Sequence, residues 1–352
     1  GRRIIFAGGM LVFAVALFLY PLATSYGELI LYRLVFAAGA AMTGAMLVAV
    51  MADYPAEDAR GKFAGVVGVM SIIGVLILIA TMANLPLRFR NAGYDALEAG
   101  QYSYWIAALI GLVSAGILAI GLKKPTGQSD KKKQSALESL RQGLTAAAGN
   151  RRLSLAFASA FCGRADLVVV TTFLSLWVTV FGFSQGWTAQ ESIAKAGLLF
   201  GVINLSSLIS APIFGWIIDK FGRVKAQCLA LLIAAIGYLA MGLMDNPLSG
   251  VSYFAAIILG IGQMAAITAS QALMGQESPT QLRGAISGCF TFFGAVGILF
   301  ATKIGGTLFD AWMPGAPFVL MGVANFLVFC FGMWVVARDN AQDGSTPAEP
   351  AH

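Results

Sequence analysis

The sequence has one histidine, His352, its last residue, and only 23 basic and 17 acidic residues among 352. With no histidine inside the fold, histidine-based catalysis has no residue to use. The four cysteines (Cys162, Cys228, Cys289 and Cys330) all fall within apolar runs. There they read as small core residues rather than as disulfides or a metal site. HExxH, a Ser–His pair and a Cys/His cluster are all missing, so an enzyme is not expected and no cofactor is implied. Charged residues make up 11% of the chain, against about 25% in a soluble domain. In their place stand 58% hydrophobic residues and a mean hydropathy of +0.78. A chain this apolar has too little polar surface to cover a soluble fold, and its solvent is mostly lipid. The net charge of +6 is broken up by long apolar runs instead of forming a basic stripe, which argues for membrane topology and against nucleic acid. The opening at Gly1 shows no signal peptide and reads as a point inside a longer chain.

A spanning helix needs roughly 20 mostly apolar residues. Ten runs qualify: 4–20, 27–51, 62–83, 103–122, 153–181, 192–218, 225–244, 250–274, 285–309 and 316–337. The expected fold class is therefore an all-α polytopic membrane protein. Gly39, Gly44, Gly65, Gly68 and Gly74 supply the small residues that close helix packing in lipid requires. Placing Gly1 on the cytoplasmic side and alternating puts seventeen of the 23 Lys and Arg inside. Only Arg88 and Arg90 fall outside, and four lie within the runs. This bias sets the topology, with the central linker and the C-terminus cytoplasmic. The expected division is a first bundle over 1–122, a cytoplasmic linker over 123–152, a second bundle over 153–338 and a disordered tail over 339–352. The linker carries Lys131-Lys132-Lys133 and an amphipathic stretch around Ala136–Ala147.

The two sides of the linker resemble each other. Gly1-Arg2-Arg3 precedes an apolar run, as Gly222-Arg223-Val224-Lys225 does. Asp53-Tyr54-Pro55 leads to Arg60-Gly61, as Glu277-Ser278-Pro279 leads to Arg283-Gly284. Two matches at nearly one offset point to a duplicated bundle. The second half has two helices before Gly222, so the repeat implies two more before Gly1. The expectation is ten helices present of twelve.

The segment from Gly215 to Lys225, Gly-Trp-Ile-Ile-Asp-Lys-Phe-Gly-Arg-Val-Lys, resembles the loop signature G-x-x-x-D-[RK]-x-G-[RK]-x-[RK] of the major facilitator superfamily. The resemblance covers the chain except its tail. It implies two six-helix bundles around a cavity that opens alternately to each side. In this loop Gly215 is expected to allow close helix packing and Gly222 a tight turn. Asp219 and Arg223 are expected to latch one conformation through charge contacts. Arg33 to Ala41 resembles the fourth-helix motif R-x-x-Q-G-x-G-A-A at Arg33 and Gly39 but has Phe36 and Ala37 where the motif has Gln and Gly. In the family this Arg is linked to proton coupling. The G-P-x-x-G-G run of drug–proton antiporters is lacking, since Gly68 to Gly74 has no proline and no paired glycines.

Ionisable groups in hydrocarbon are costly and mark function or a buried partner. Arg33, Arg164, Asp166 and Lys303 fall on family helices four, seven and eleven, which line the cavity. The lipid-facing helices three, six, nine and twelve carry none in their middles. Arg164 lies roughly 16 Å into its helix, near the midplane. Residues i and i+2 point about 200° apart, so Arg164 and Asp166 need not pair. Arg164 is the candidate for an anionic group of the solute, and Asp166 for taking and releasing the coupling proton. The competing reading is a buried structural pair. Lys303 can snorkel to the outer interface. Asn204 with Ser207, and Gln263 with Gln271, are further candidates, although any single one is more often a helix–helix hydrogen bond than a ligand contact. Trp177 and Trp187 read as belt residues.

These residues point to a secondary active transporter of a small organic solute, working by alternating access with protons or another coupling ion. An anionic solute is slightly preferred. Efflux of a drug or amphipath by proton antiport is the alternative. A non-transporting membrane sensor or partner-binding scaffold is the alternative of another class, and the midplane charges count against it. The expected setting is a monomer in a lipid bilayer, the bacterial inner membrane.

Overall fold

The computed structural model describes residues 2–53, 85–122, 136–279 and 281–343, together with 70, 73–74, 77–78 and 81–82. Most of the expected run at 62–83 lies outside these residues, as do Tyr54, Pro55, Arg60 and Gly61 of the repeat, Gly65 and Gly68, Lys131 to Lys133, and 344–352. Every regular element among the described residues is helical. Eight helices are long and apolar enough to cross a bilayer, and they fall on eight of the ten expected runs. A further helix covers the run at 27–51. The chain divides into two compact units, Gly1–Lys131 and Lys132–His352.

In the first unit, α1 (Arg2–Leu19) ends in a 3-10 turn at Tyr20–Leu22, with Pro21 inside it. The next helix, α2 (Tyr26–Asp53), starts where the Glu28 carboxylate accepts hydrogen bonds from the Thr24 N–H and hydroxyl at 2.8 and 3.0 Å. The two helices meet through glycine. A Cβ at Gly39 would lie 2.6 Å from the Phe13 nitrogen, and one at Gly9 would lie 2.7 Å from the Met42 Cβ. The glycine of the fourth-helix motif is thus held by backbone contact with α1. Later in the chain, the short α3 (Leu85–Asn91) leads into α4 (Ala96–Gly121), whose start is closed by an Asp95–Glu98 capping box. The α4 helix packs along α1, with Gly111 against Ala14.

The second unit begins with α5 (Ala136–Gly149), the amphipathic part of the expected linker, which lies on α10 (Arg283–Ala311). Gly143 faces Cys289, whose thiol donates to the Leu140 carbonyl at 3.3 Å. Asn150 then caps α6 (Arg151–Ser184). A Thr188–Glu191 capping box opens α7 (Ala189–Phe221). Gly222 alone joins α7 to α8 (Arg223–Gly242). Ser249 caps α9 (Gly250–Glu277), and the last helix, α11, runs over Ala316–Asp343. It continues past Arg338, so the first five residues of the expected tail are helical. Glycines again set the close approaches: Gly242 lies against the Val319 backbone, and Gly297 against the Phe161 carbonyl. Burying small residues brings helices together where lipid gives no hydrophobic drive between them.

Candidate functional site

Arg164 and Asp166 stand on opposite sides of α6. Arg164 is exposed, and its stem runs beside Gly294 of α10, where an added Cβ would come within 2.6 Å of the Arg164 Cγ. Asp166 is 0% exposed and turns towards α8 and α11. The Asn325 amide nitrogen lies 3.0 and 3.1 Å from the two Asp166 carboxyl oxygens, and it also donates to the Met321 carbonyl at 2.9 Å. The Asn325 amide oxygen is buried without a partner among the described residues.

Just beyond Asp166 the helix widens. Val169–Phe173 forms one π-turn, in which an extra residue enters the spiral. The Tyr238 hydroxyl donates to the Asp166 backbone carbonyl at 3.0 Å. Tyr238 is itself fully buried and stacks on Phe318. The side chain and the carbonyl of one residue are thus tied to α11 and α8, at the point where the regular hydrogen-bond ladder is interrupted.

Sequence reasoning missed Asn325, Tyr238 and the wide turn. A signal for the first was present: Asn325 is the only polar side chain in the run 316–337. Trp177 also departs from expectation. It is 3% exposed and packs on Phe318, in the core and away from the lipid belt. Trp187 receives the Lys195 ammonium 3.4 Å from its ring centroid.

The other candidates are dispersed. Arg33 is exposed, with its guanidinium 5.5 Å from the ring centroid of its own helix's Phe36. Asn204 is exposed and donates to the Phe200 carbonyl at 2.8 Å, while Ser207 donates across to Gly260 of α9. Gln263 is buried, its amide nitrogen unpartnered among the described residues, and Gln271 is exposed. Lys303 is exposed on α10.

At the other end of the second unit, Gly222 has φ +81° and ψ 151°. This region is essentially open to glycine alone and costs other residues roughly 1–3 kcal/mol. Gly222→Ala is expected to destabilise the protein by that amount, read as a lowered Tm of the purified protein in detergent. Gly215 does not serve the close packing expected of it: an added Cβ there would meet nothing within 4 Å among the described residues. Asp219 is exposed. Arg223 lines a recess of about 270 Å³ with Arg152, Lys225, Gln276 and Asp339. Arg152 bridges Asp339 at 2.8 Å and Glu277 at 3.5 Å, and Glu277 also accepts from the Asn150 amide. These contacts tie the start of α6 to the ends of α9 and α11.

Long apolar helices in two units, glycine-mediated packing and a charged face at a one-residue turn define a polytopic membrane protein. The chain belongs to the Major Facilitator Superfamily, whose model matches residues 1–302 and 192–351. It is a multi-pass secondary transporter, working on a small solute in a lipid bilayer. Among its relatives is magnetosome protein MamH of Paramagnetospirillum magneticum. The two are 29% identical over 358 residues, covering 99% of this chain and 80% of the relative. Magnetosome protein MamZ of Magnetospirillum gryphiswaldense is 33% identical over 199 residues, or 56% of this chain and 31% of the relative. In fold, the outward-facing crystal structure of the transporter FucP matches with a TM-score of 0.65 at 15% identity, over 95% of this chain and 83% of that one.

Proposed function

We propose that this protein moves a small organic anion across a bacterial membrane by alternating access, coupled to protons, with Arg164 as the solute contact and Asp166 as the coupling group. The observation that carries this reading is the division of labour on α6. A guanidinium stands exposed about 20 Å along the helix, and no carboxylate pairs with it among the described residues. Two residues further on, the carboxyl group accepts from one neutral donor among the described residues, the Asn325 amide nitrogen. A cation left open at such depth is expensive unless a solvated path or an anion receives it. A carboxyl group without a cation partner can change its protonation without breaking an ion pair. Within the second unit, Asn204, Gln263 and Gln271 are further candidates for polar groups of the path, and Arg33 on α2 is the candidate in the first unit. Asp219, Gly222 and Arg223 serve as the latch at the inner mouth. The test is a solute screen in proteoliposomes with and without an imposed pH gradient. Gradient-driven movement of organic anions supports the reading, and movement of neutral or cationic solutes alone refutes it.

The membrane itself is proposed to be that of a magnetosome, on the strength of the match to MamH along almost the whole chain. A fluorescent fusion produced in a magnetosome-forming host is expected to co-purify with isolated magnetosomes. Confinement to the remaining cell membrane would overturn this placement.

A further inference from the structure

The outward face of α11 carries a feature that solute transport does not use. Val323, Phe326, Leu327, Cys330, Met333 and Trp334 recur at three- and four-residue spacing and are all exposed, with Leu327 at 63% and Trp334 at 45%. From Val323 to Trp334 this apolar stripe runs some 16 Å along the helix, about one leaflet of hydrocarbon. It ends at a pair of arginines. The guanidinium carbons of Arg151, the first residue of α6, and Arg338 of α11 lie 5.6 and 5.8 Å from the Trp334 ring centroid. Phe331 stacks on the same indole at 5.9 Å.

Two like charges gathered on one ring repel each other, and the ring quadrupole offsets only part of that. Neither arginine has a carboxylate partner among the described residues, for the nearby acids Asp339 and Glu277 are taken by Arg152. The arrangement has an acyl-length apolar track, an indole at its end and two unpaired guanidinium groups above it. We infer that this face holds an anionic phospholipid, with its phosphate between Arg151 and Arg338, its glycerol region against Trp334 and an acyl chain along α11. Arginine suits this role because its planar donors grip a phosphate from two directions. A soluble acidic protein would not match the apolar track, and a zwitterionic lipid would bring its own cation to a site already crowded with two.

The test uses the full chain in detergent micelles and native mass spectrometry, with phosphatidylglycerol and phosphatidylcholine offered at equal concentration. Each guanidinium near a lipid phosphate contributes about fivefold in affinity, so a preference of roughly 25-fold for phosphatidylglycerol is expected. Arg151→Gln with Arg338→Gln should reduce it to near unity, while the Lys pair at the same positions keeps part of it. Should the double variant fail to fold, Arg338→Gln alone carries the test, with an expected fall of about fivefold. Equal retention of the two lipids overturns the inference, as does a preference that survives the substitutions. So does displacement of phosphatidylglycerol by millimolar inorganic phosphate, which would make the arginine pair a site for free anions.

Discussion

Replacing Arg164 with Gln is expected to lower the apparent affinity for an anionic solute by about tenfold to a hundredfold, the usual worth of a hydrogen bond to a charged group. Gln keeps the methylene stem that runs beside Gly294, so the contact between α6 and α10 should survive and Tm should change little. Arg164→Lys should recover part of the affinity, because it restores the charge without the planar fork. Initial rates against solute concentration in proteoliposomes would separate these effects. A removed solute contact appears in KM, whereas a damaged fold lowers the rate at every concentration. An unchanged KM in Arg164→Gln, with full protein recovery, would remove Arg164 from the solute path.

Asp166→Asn is expected to abolish gradient-driven accumulation or expulsion while leaving solute exchange intact. One pH unit stores about 1.4 kcal/mol per proton. The steady-state solute ratio under that gradient should therefore fall from about tenfold to one for single-proton coupling. The substitution is nearly isosteric, and the new amide still meets the Asn325 nitrogen through its oxygen, so the seam between α6 and α11 should hold. Were Asp166 a structural strut, the Asn variant would keep its gradient-driven flux, and only Asp166→Leu, which strands the Asn325 amide, would lose stability. Comparing the steady-state ratio with the exchange rate in one preparation decides between the two.

Much of this was legible in the sequence because lipid imposes simple demands. Apolar runs of spanning length gave the helices, and α1, α2 and α4 to α11 fall where those runs or their linkers lie. The turn at Gly222 was legible because the loop signature places a glycine there, but its being the single residue between α7 and α8 was not, since the apolar runs end at 218 and resume at 225. Periodicity shows which residues share a helix face but not what that face meets. Gln263 and Gln271 therefore looked equivalent, yet one is buried and the other exposed. Gly215 looked like a packing glycine, yet among the described residues no neighbour approaches it. Asn325 and Tyr238 escaped notice because a search for midplane function looks for charge, and both are neutral. The wide turn at Val169–Phe173 has a mark that a reading for apolar runs passes over: Val168 to Thr172 are five consecutive β-branched residues, which suit a regular helix less well.

The π-turn has one more consequence. An inserted residue rotates everything downstream by about 100° about the helix axis, and here both halves of α6 still meet α8 and α11, at Asp166 before the turn and at Trp177 after it. Cys162 and Ala165 on one side of the turn share a buried cluster with Phe173 and Trp177, and with Tyr238 and Phe318. Such a helix behaves as two rods in series, and local slippage of that single residue would turn one rod relative to the other without separating α6 from the bundle.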